Sequence, residues 1–259
     1  MRILMIGDVI GKPGRSAVKR LVPELRSEFG LDLVIANGEN AAGGIGLTPS
    51  TADELIASEI DMITSGNHIW AHKEMAASID SYQQVLRPLN YPKGVAGRGY
   101  AVVKNALVVS LIGRTFMSSL DCPFRAVDEL LESLDGDRPA VTVIDFHAEA
   151  TSEKIALGWY LNGRVSSVTG THTHVGTIDA KILPKGTAFV TDIGMVGPVE
   201  SVIGDDIDSV IERFLLQTPH RISVGKGKVA FNSVMIEVDE KTGKAASITR
   251  IDREVDLNV

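Results

Sequence analysis

Short, nearly unbroken apolar runs at 1–7, 31–36 and 61–64 read as buried strands. Each is followed by a stretch in which apolar and charged positions recur at helical spacing, over 13–29, about 49–59 and about 71–79. Pro13 is tolerable in a first helical turn, and Thr48-Pro49 reads as an N-cap followed by proline at the first helical position. Strand alternating with helix predicts parallel strands whose chemistry gathers at their carboxyl ends. The middle of the chain changes rhythm. Residues 100–103 and 106–112, separated by Lys104-Asn105, read as a hairpin that brings antiparallel strands into the sheet system. Helices are predicted over 126–134, 152–161 and 206–217, and strands over 140–146, 165–168, 179–183 and 187–191. The chain should close with a hairpin of 228–238 and 246–252 across a turn at 241–243. No linker, repeat or low-complexity tract interrupts the pattern, so it predicts one α/β domain over residues 1–259 with two packed mixed sheets.

Composition narrows the partners. The 259 residues carry 26 Lys plus Arg against 33 Asp plus Glu, a formal net charge of -7. That balance opposes a broad nucleic-acid surface, which would have to neutralise many phosphates at once, but permits a small anionic substrate held by a local cation. The single cysteine, Cys122, excludes an intrachain disulfide and a thiolate zinc framework, and fits a reducing cytoplasm. The opening apolar run is broken at Gly7-Asp8, too early for a signal segment, and no apolar run approaches the roughly 18 residues needed to span a bilayer. No membrane partner is expected.

The informative pattern lies at the strand ends. Gly7-Asp8, Asn37-Gly38-Glu39-Asn40, Gly66-Asn67-His68 and Phe146-His147 each finish a predicted strand, and Gly170-Thr171-His172-Thr173-His174 follows another. Taken singly, Asp8 reads as a turn or cap, Asn37, Asn40 and Asn67 as turn residues, and His147 as a buried imidazole. Taken together they supply two carboxylates, three amides and four imidazoles, an oxygen-and-nitrogen set suited to Mn, Fe or Zn. His172 and His174, two residues apart between Gly170 and Gly176, converge on an ion once the segment leaves regular strand geometry. Competing motifs fail on spacing. Gly7 to Gly11-Lys12 is one residue short of a P-loop and has Pro13 where Ser or Thr should stand, and no GxGxxG, HExxH or GxSxG occurs. His147-Ala148-Glu149 matches the HxE of zinc deaminases, but their paired cysteines are missing.

The order GDV, NGENAAGG, SGNH, FHAE and GTHTHVGT, continued through RPLNYP and TDIGMVGP, resembles the calcineurin-like metallophosphoesterase superfamily, and within it the YmdB-like family of bacterial phosphodiesterases. The resemblance implies a four-layer α-β-β-α sandwich of two mixed sheets flanked by helices, with a dinuclear centre of two transition-metal ions per chain, iron ahead of manganese or zinc. It implies that Asp8, Asn40 and His174 hold one ion, that Asn67, His147 and His172 hold the other, and that Glu39 bridges them. His68 would be the general acid opposite a metal-bridging hydroxide. The implied activity is hydrolysis of cyclic nucleotides, 2′,3′-cyclic nucleotides first and 3′,5′-cyclic AMP second, in a homo-oligomer.

Three departures from the wider superfamily bear on detail. The first motif, Asp8-Val9-Ile10, lacks the usual Asp-x-His imidazole, Glu39 replaces an aspartate, and Ile69-Trp70 follows His68 where an acidic buttress often stands. The missing first-motif imidazole and the missing acidic residue after His68 motivate an alternative: a metal-stabilised regulatory or scaffold protein with residual phosphodiesterase activity, contacting RNA-processing or signalling proteins. A metal-dependent nuclease is a further alternative. Outside the motifs, His72 reads as a solvated helix residue and His220 as a surface residue. The Gly-rich loop 41–47 reads either as a source of N–H donors to substrate or as a flexible connector.

Overall fold

The computed structural model describes residues 1–219 and 221–257. Strands β1 (Arg2–Val9), β2 (Leu33–Asn37) and β3 (Met62–Thr64) are parallel, connected through helices α1 (Gly11–Phe29) and α2 (Pro49–Ala57). Helix α2 begins as its sequence predicts, with the Thr48 hydroxyl accepting from the Thr51 N–H and Pro49 in the first turn. After α3 (Lys73–Ser78) the chain enters a second sheet in the spatial order β4 (Tyr100–Val103), β5 (Ala106–Ile112), β6 (Val141–His147), β7 (Ser167–Thr171), β9 (Ala188–Val190) and β8 (Lys181–Ile182). Its inner pairs are parallel and its two outer pairs antiparallel. Helices α4 (Pro123–Ser133) and α5 (Thr151–Tyr160) supply the crossovers flanking β6.

Four late strands, β10 (Met195–Pro198), β11 (Val229–Phe231), β12 (Ser233–Val238) and β13 (Ala245–Arg250), return to the first sheet, and β14 (Arg253–Val255) completes its eight strands. Helix α6 (Ile207–Leu216) lies between β10 and β11 in the chain.

Strand alternation explains the layering. In β1 and β2, Leu4, Ile6, Val34 and Ala36 face α1 and α2, packing on Val18, Leu21, Val22, Ala52 and Leu55. The opposite set, Ile3, Met5, Leu33 and Ile35, packs against Val108, Val141, Val143 and Val190 of the second sheet. That sheet turns Leu107, Val109, Ile144 and Phe146 onto Val127, Leu130 and Leu157 of α4 and α5. The result is an α-β-β-α sandwich with three apolar cores, in agreement with the expected two mixed sheets flanked by helices.

The C-terminal part departs from the simple hairpin. Residues 228–238 are two strands divided at Asn232, because the chain changes partner there: β11 pairs with β10, whereas β12 pairs with β1. Asn232 seals the step, its carbonyl accepting from the Gly7 N–H (3.1 Å) and its side chain from the Met195 N–H (3.2 Å). The helix expected over 71–79 is also shorter, with turns before Lys73 and a 3-10 turn at Ile79–Ser81.

Candidate metal centre

The parallel strands deliver their carboxyl ends to one place. Asp8 belongs to the end of β1, Glu39 and Asn40 follow β2, Asn67 and His68 follow β3, His147 ends β6, and His172 and His174 follow β7. All seven side chains expected to be ligands, together with His68, form one connected cluster. The Nε2 of His147 lies 3.0 Å from Glu39 Oε1, 3.2 Å from Asn67 Oδ1 and 3.0 Å from His172 Nδ1. His174 Nε2 lies 3.1 Å from the Asn40 amide and 3.8 Å from Asp8 Oδ1, which is itself 3.7 Å from His147 Nδ1. Glu39, His147 and His172 each offer a ligand atom within 4.8 Å of the others.

Convergence of His172 and His174 requires unusual backbone. Their φ angles are +100° and +64°, a left-handed excursion that lets imidazoles two residues apart turn to the same cluster and that proteins keep where function demands it. Gly66 is required for another reason. A Cβ there would lie 2.1 Å from the His147 ring and 2.4 Å from Glu39 Oε2, so only hydrogen fits between β3 and the cluster.

The donor set fits a cation. Two of its buried carboxylate oxygens, Asp8 Oδ1 and Glu39 Oε1, have no hydrogen-bond partner. Glu39 Oε1 lies 3.0 Å from His147 Nε2 and 3.1 Å from His68 Nδ1 without hydrogen-bond alignment, so its charge is left for a cation to meet. Electrostatics carries the same imprint. Burial raises the Asp8 carboxyl to about 6 despite His174 and His147 nearby. Burial also opposes the charge on Glu39, but His147 and His68 hold its carboxyl well below the usual range. In return Glu39, Asp8 and Asp145 overcome burial and lift His147 to about 9, whereas burial and the adjacent His147 lower His172 to about 3.

Behind the cluster stand groups that the strand-end pattern did not reveal. Asp145 is fully buried and accepts from Thr171 Oγ1 (2.8 Å), Asn37 Nδ2 (3.0 Å) and the Thr64 hydroxyl. Because Thr171 gives its proton to Asp145, its oxygen is free to accept from His147 Nδ1, 3.0 Å away, which leaves the His147 Nε2 lone pair for the centre. Asn37, read as a possible donor to the centre, instead belongs to this network. Lys154 and Asp192, each 1% exposed, form an ion pair (2.6 Å) that also binds the Thr171 carbonyl and the Thr173 N–H and hydroxyl. Glu149, the acidic member of the HAE sequence, sits 3.0 Å from His172 Nε2 and thereby directs Nδ1 inward. The available signal for Asp145 and Lys154 was a charge on an otherwise apolar face.

His68 lines a cavity of about 320 Å³ with Glu39, Asn40, Glu149, His172 and His174. Its Nδ1 bonds Asn40 Oδ1 at 2.9 Å, so the buttress absent after His68 in sequence is an amide of the loop after β2, with the Glu39 carboxylate close by but not aligned as its partner. The 41–47 loop is a fixed wall: the Ala42 and Ile45 N–H groups bond within it, the Gly44 N–H bonds the Asn40 carbonyl, and Arg15 bonds the Ala41 carbonyl. His72 also departs from its expected solvated role, since its Nε2 bonds the Ile45 carbonyl at 2.8 Å. His220 lies outside the described residues.

Fold and site together define an α-β-β-α sandwich with a histidine, carboxylate and amide centre at its strand ends. The chain belongs to the family described as YmdB-like protein, whose model matches residues 4–251. It is 49% identical over 255 residues to the 2′,3′-cyclic-nucleotide 2′-phosphodiesterase of Bacillus subtilis (strain 168), covering 97% of this chain and 96% of that protein. A solved protein from Thermus thermophilus superposes with a TM-score of 0.91 at 43% identity, covering 98% of this chain and 99% of that one. A solved phosphatase from Mycoplasma pneumoniae gives a TM-score of 0.91 at 34% identity, covering 99% and 94%. Among the described residues no helix is long and apolar enough to cross a membrane.

Proposed function

We propose that the protein is a metal-dependent phosphodiesterase that opens 2′,3′-cyclic nucleotides at the 2′ oxygen. The observation that carries this reading is the pair of partnerless buried oxygens, Asp8 Oδ1 and Glu39 Oε1, facing imidazoles at the cavity. The substrate class comes from the Bacillus subtilis relative. Asp8, Asn40 and His174 would hold one ion, Asn67, His147 and His172 a second, with Glu39 shared. Two such ions lower the pKa of water and neutralise charge at phosphorus. His68 supplies the proton: a P–O bond to hydroxide derived from water forms, the P–O2′ bond breaks, the His68 Nε2 proton passes to O2′, and the proton released from that water restores His68, leaving a 3′-monophosphate.

Purified protein should contain about two transition-metal ions per chain, as two-metal chemistry requires. It should convert 2′,3′-cyclic AMP to 3′-AMP, with activity lost on chelation and restored by Fe²⁺ or Mn²⁺. Full turnover after complete metal removal would overturn the reading, and 2′-AMP as product would overturn the choice of bond.

Metal affinity should depend on pH with a defined sign. In the metal-free protein His147 holds a proton up to about pH 9, and a metal ligand must give it up. Apparent affinity should therefore rise about tenfold per pH unit between 6 and 9, the slope for one released proton, and level off above 9. Below about pH 6 the Asp8 carboxyl also takes a proton and the dependence steepens. Calorimetry in buffers of different ionisation enthalpy counts the protons; a pH-independent affinity from 6 to 9 would contradict the assignment of His147.

A further inference from the structure

Phe116 occupies a position where its residue type is a liability. It is 88% exposed, with φ +63°, at the third position of a turn closed by the Met117 N–H on the Arg114 carbonyl (3.2 Å). A positive φ at that position belongs to glycine or asparagine, and so exposed a phenyl ring recovers little of the strain by packing. The turn is nevertheless held firmly. The Glu153 carboxylate accepts from the N–H groups of Arg114 (3.1 Å) and Thr115 (3.0 Å), and the Gly113 N–H donates to the His147 carbonyl (2.9 Å). An unsupported aromatic is thus fixed to the backbone of a central residue of the site.

Arg114 also lines a groove of about 950 Å³ with Lys93, Arg98, Arg125 and Tyr91. None of these four cationic side chains has an ion-pair or hydrogen-bond partner among the described residues. The groove contains five cationic side chains against two carboxylates, Asp121 and Glu129, on a chain whose net charge is -7. Its walls are built before any ligand arrives. The Arg87 guanidinium bonds the carbonyls of Pro88, Val95 and Ala96, and the Asn90 amide bonds both Ile112 backbone groups and the Asp121 carbonyl. Ile112, which Asn90 bonds, is paired in register with His147. The next groove residue, Tyr91, packs edge-on against Trp70, two residues beyond His68, with ring centroids 5.9 Å apart.

We propose that this groove receives the nucleotides preceding the reacting phosphate, so that the substrate class is the 3′ end of a short single-stranded oligoribonucleotide closed as a 2′,3′-cyclic phosphate. Phe116 stacks on a base, and Arg114 with its cationic neighbours takes the backbone phosphates. The inference rests on the phosphodiesterase reading above and extends it from mononucleotide to strand terminus. Its chemistry is continuous with that reading, because attack of an RNA 2′-hydroxyl on the adjacent phosphate, the strand-cleaving transesterification, is what leaves such an end. A groove for a few nucleotides requires no broad basic surface.

The test compares kcat/KM for 2′,3′-cyclic AMP with that for an adenosine trinucleotide ending in a 2′,3′-cyclic phosphate, using metal-loaded protein at several salt concentrations. The trinucleotide should be preferred by about tenfold or more at low salt, with a log–log salt slope near -0.7 for each phosphate contacted. Arg114→Gln and Arg125→Gln should flatten that slope. Phe116→Gly should lower the trinucleotide preference by roughly 5- to 150-fold, the range for one lost base–aromatic stack, while Tm holds or rises because glycine relieves the positive φ. A merely structural phenylalanine cannot give those opposite signs. Equal, salt-independent use of both substrates overturns the groove assignment alone. Failure to hydrolyse either overturns the underlying function, and fluorescence anisotropy with a labelled trinucleotide 3′-phosphate then decides the groove: binding weakened in Phe116→Gly sustains it, and unchanged or absent binding ends it.

Discussion

Replacing Lys154 with methionine should destabilise the protein by about 3–5 kcal/mol, the cost of leaving a buried charge without its partner. For a chain of this size that loss lowers Tm by roughly 6–20 °C. Lys154 and Asp192 are each 1% exposed, and no solvent can replace the ammonium once it is removed. Asp192 would keep its bonds from Thr173 and Gly194, but these neutral donors do not neutralise a carboxylate in an apolar layer. The damage should reach the centre. Lys154 bonds the Thr171 carbonyl and Asp192 bonds Thr173, the residues on either side of His172, so the pair holds the left-handed conformation there. Metal affinity should fall about 10–100-fold, as when groups supporting a metal ligand are removed. Adding Asp192→Asn to Lys154→Met removes the stranded charge and should recover part of the Tm loss. A double variant less stable than Lys154→Met would show that side-chain packing, rather than charge, dominates.

The sandwich was legible where local pattern and tertiary partner agree. In β1 and β2 both faces are buried, which writes continuous apolar runs, and the intervening helix has one apolar face. Legibility failed where a strand exists only because of its neighbour. β10, with the sequence MVGP, contains glycine and proline and pairs with only Asp8 and Val9 of β1, so no periodicity could mark it. β14 is three residues on the edge beside β11. Asn232 looks like an interior strand residue until the partner switch from β10 to β1 is known.

The site divides the same way. Strand-end positions are fixed by topology, so Asp8, Asn40, Asn67, His68, His147, His172, His174 and Glu39 were readable as one set before their geometry was known. Their supports were not. Thr171 looks like a spacer in the cluster after the strand and Asp145 like a flaw in the run VTVIDF until both meet His147. The acidic balance of the chain was likewise a poor guide to local field. Glu39 and Asp8 draw a proton onto a fully buried imidazole, while the groove beside Arg114 is cationic. Net charge reports on the surface as a whole, and binding responds to the few charges facing the ligand.

If His68 is the general acid proposed, replacing it with alanine should reduce kcat for 2′,3′-cyclic AMP by about 10²–10⁴-fold, the contribution of a positioned general acid, while bound metal is retained. His68 Nδ1 is bonded to Asn40 Oδ1, so the ring is held by one nitrogen and Nε2 is left for the leaving group. A ribose alkoxide leaves poorly and needs that proton. A p-nitrophenolate does not, so the same variant should hydrolyse bis(p-nitrophenyl) phosphate with a far smaller loss. The ratio of the two losses separates proton donation from every other role. Equal losses with both substrates would make His68 a phosphate-positioning group, and loss of bound metal would make it a ligand. Retained metal with losses of very different size, together with an unchanged KM for the cyclic nucleotide, is the result that the position of His68 at the cavity demands.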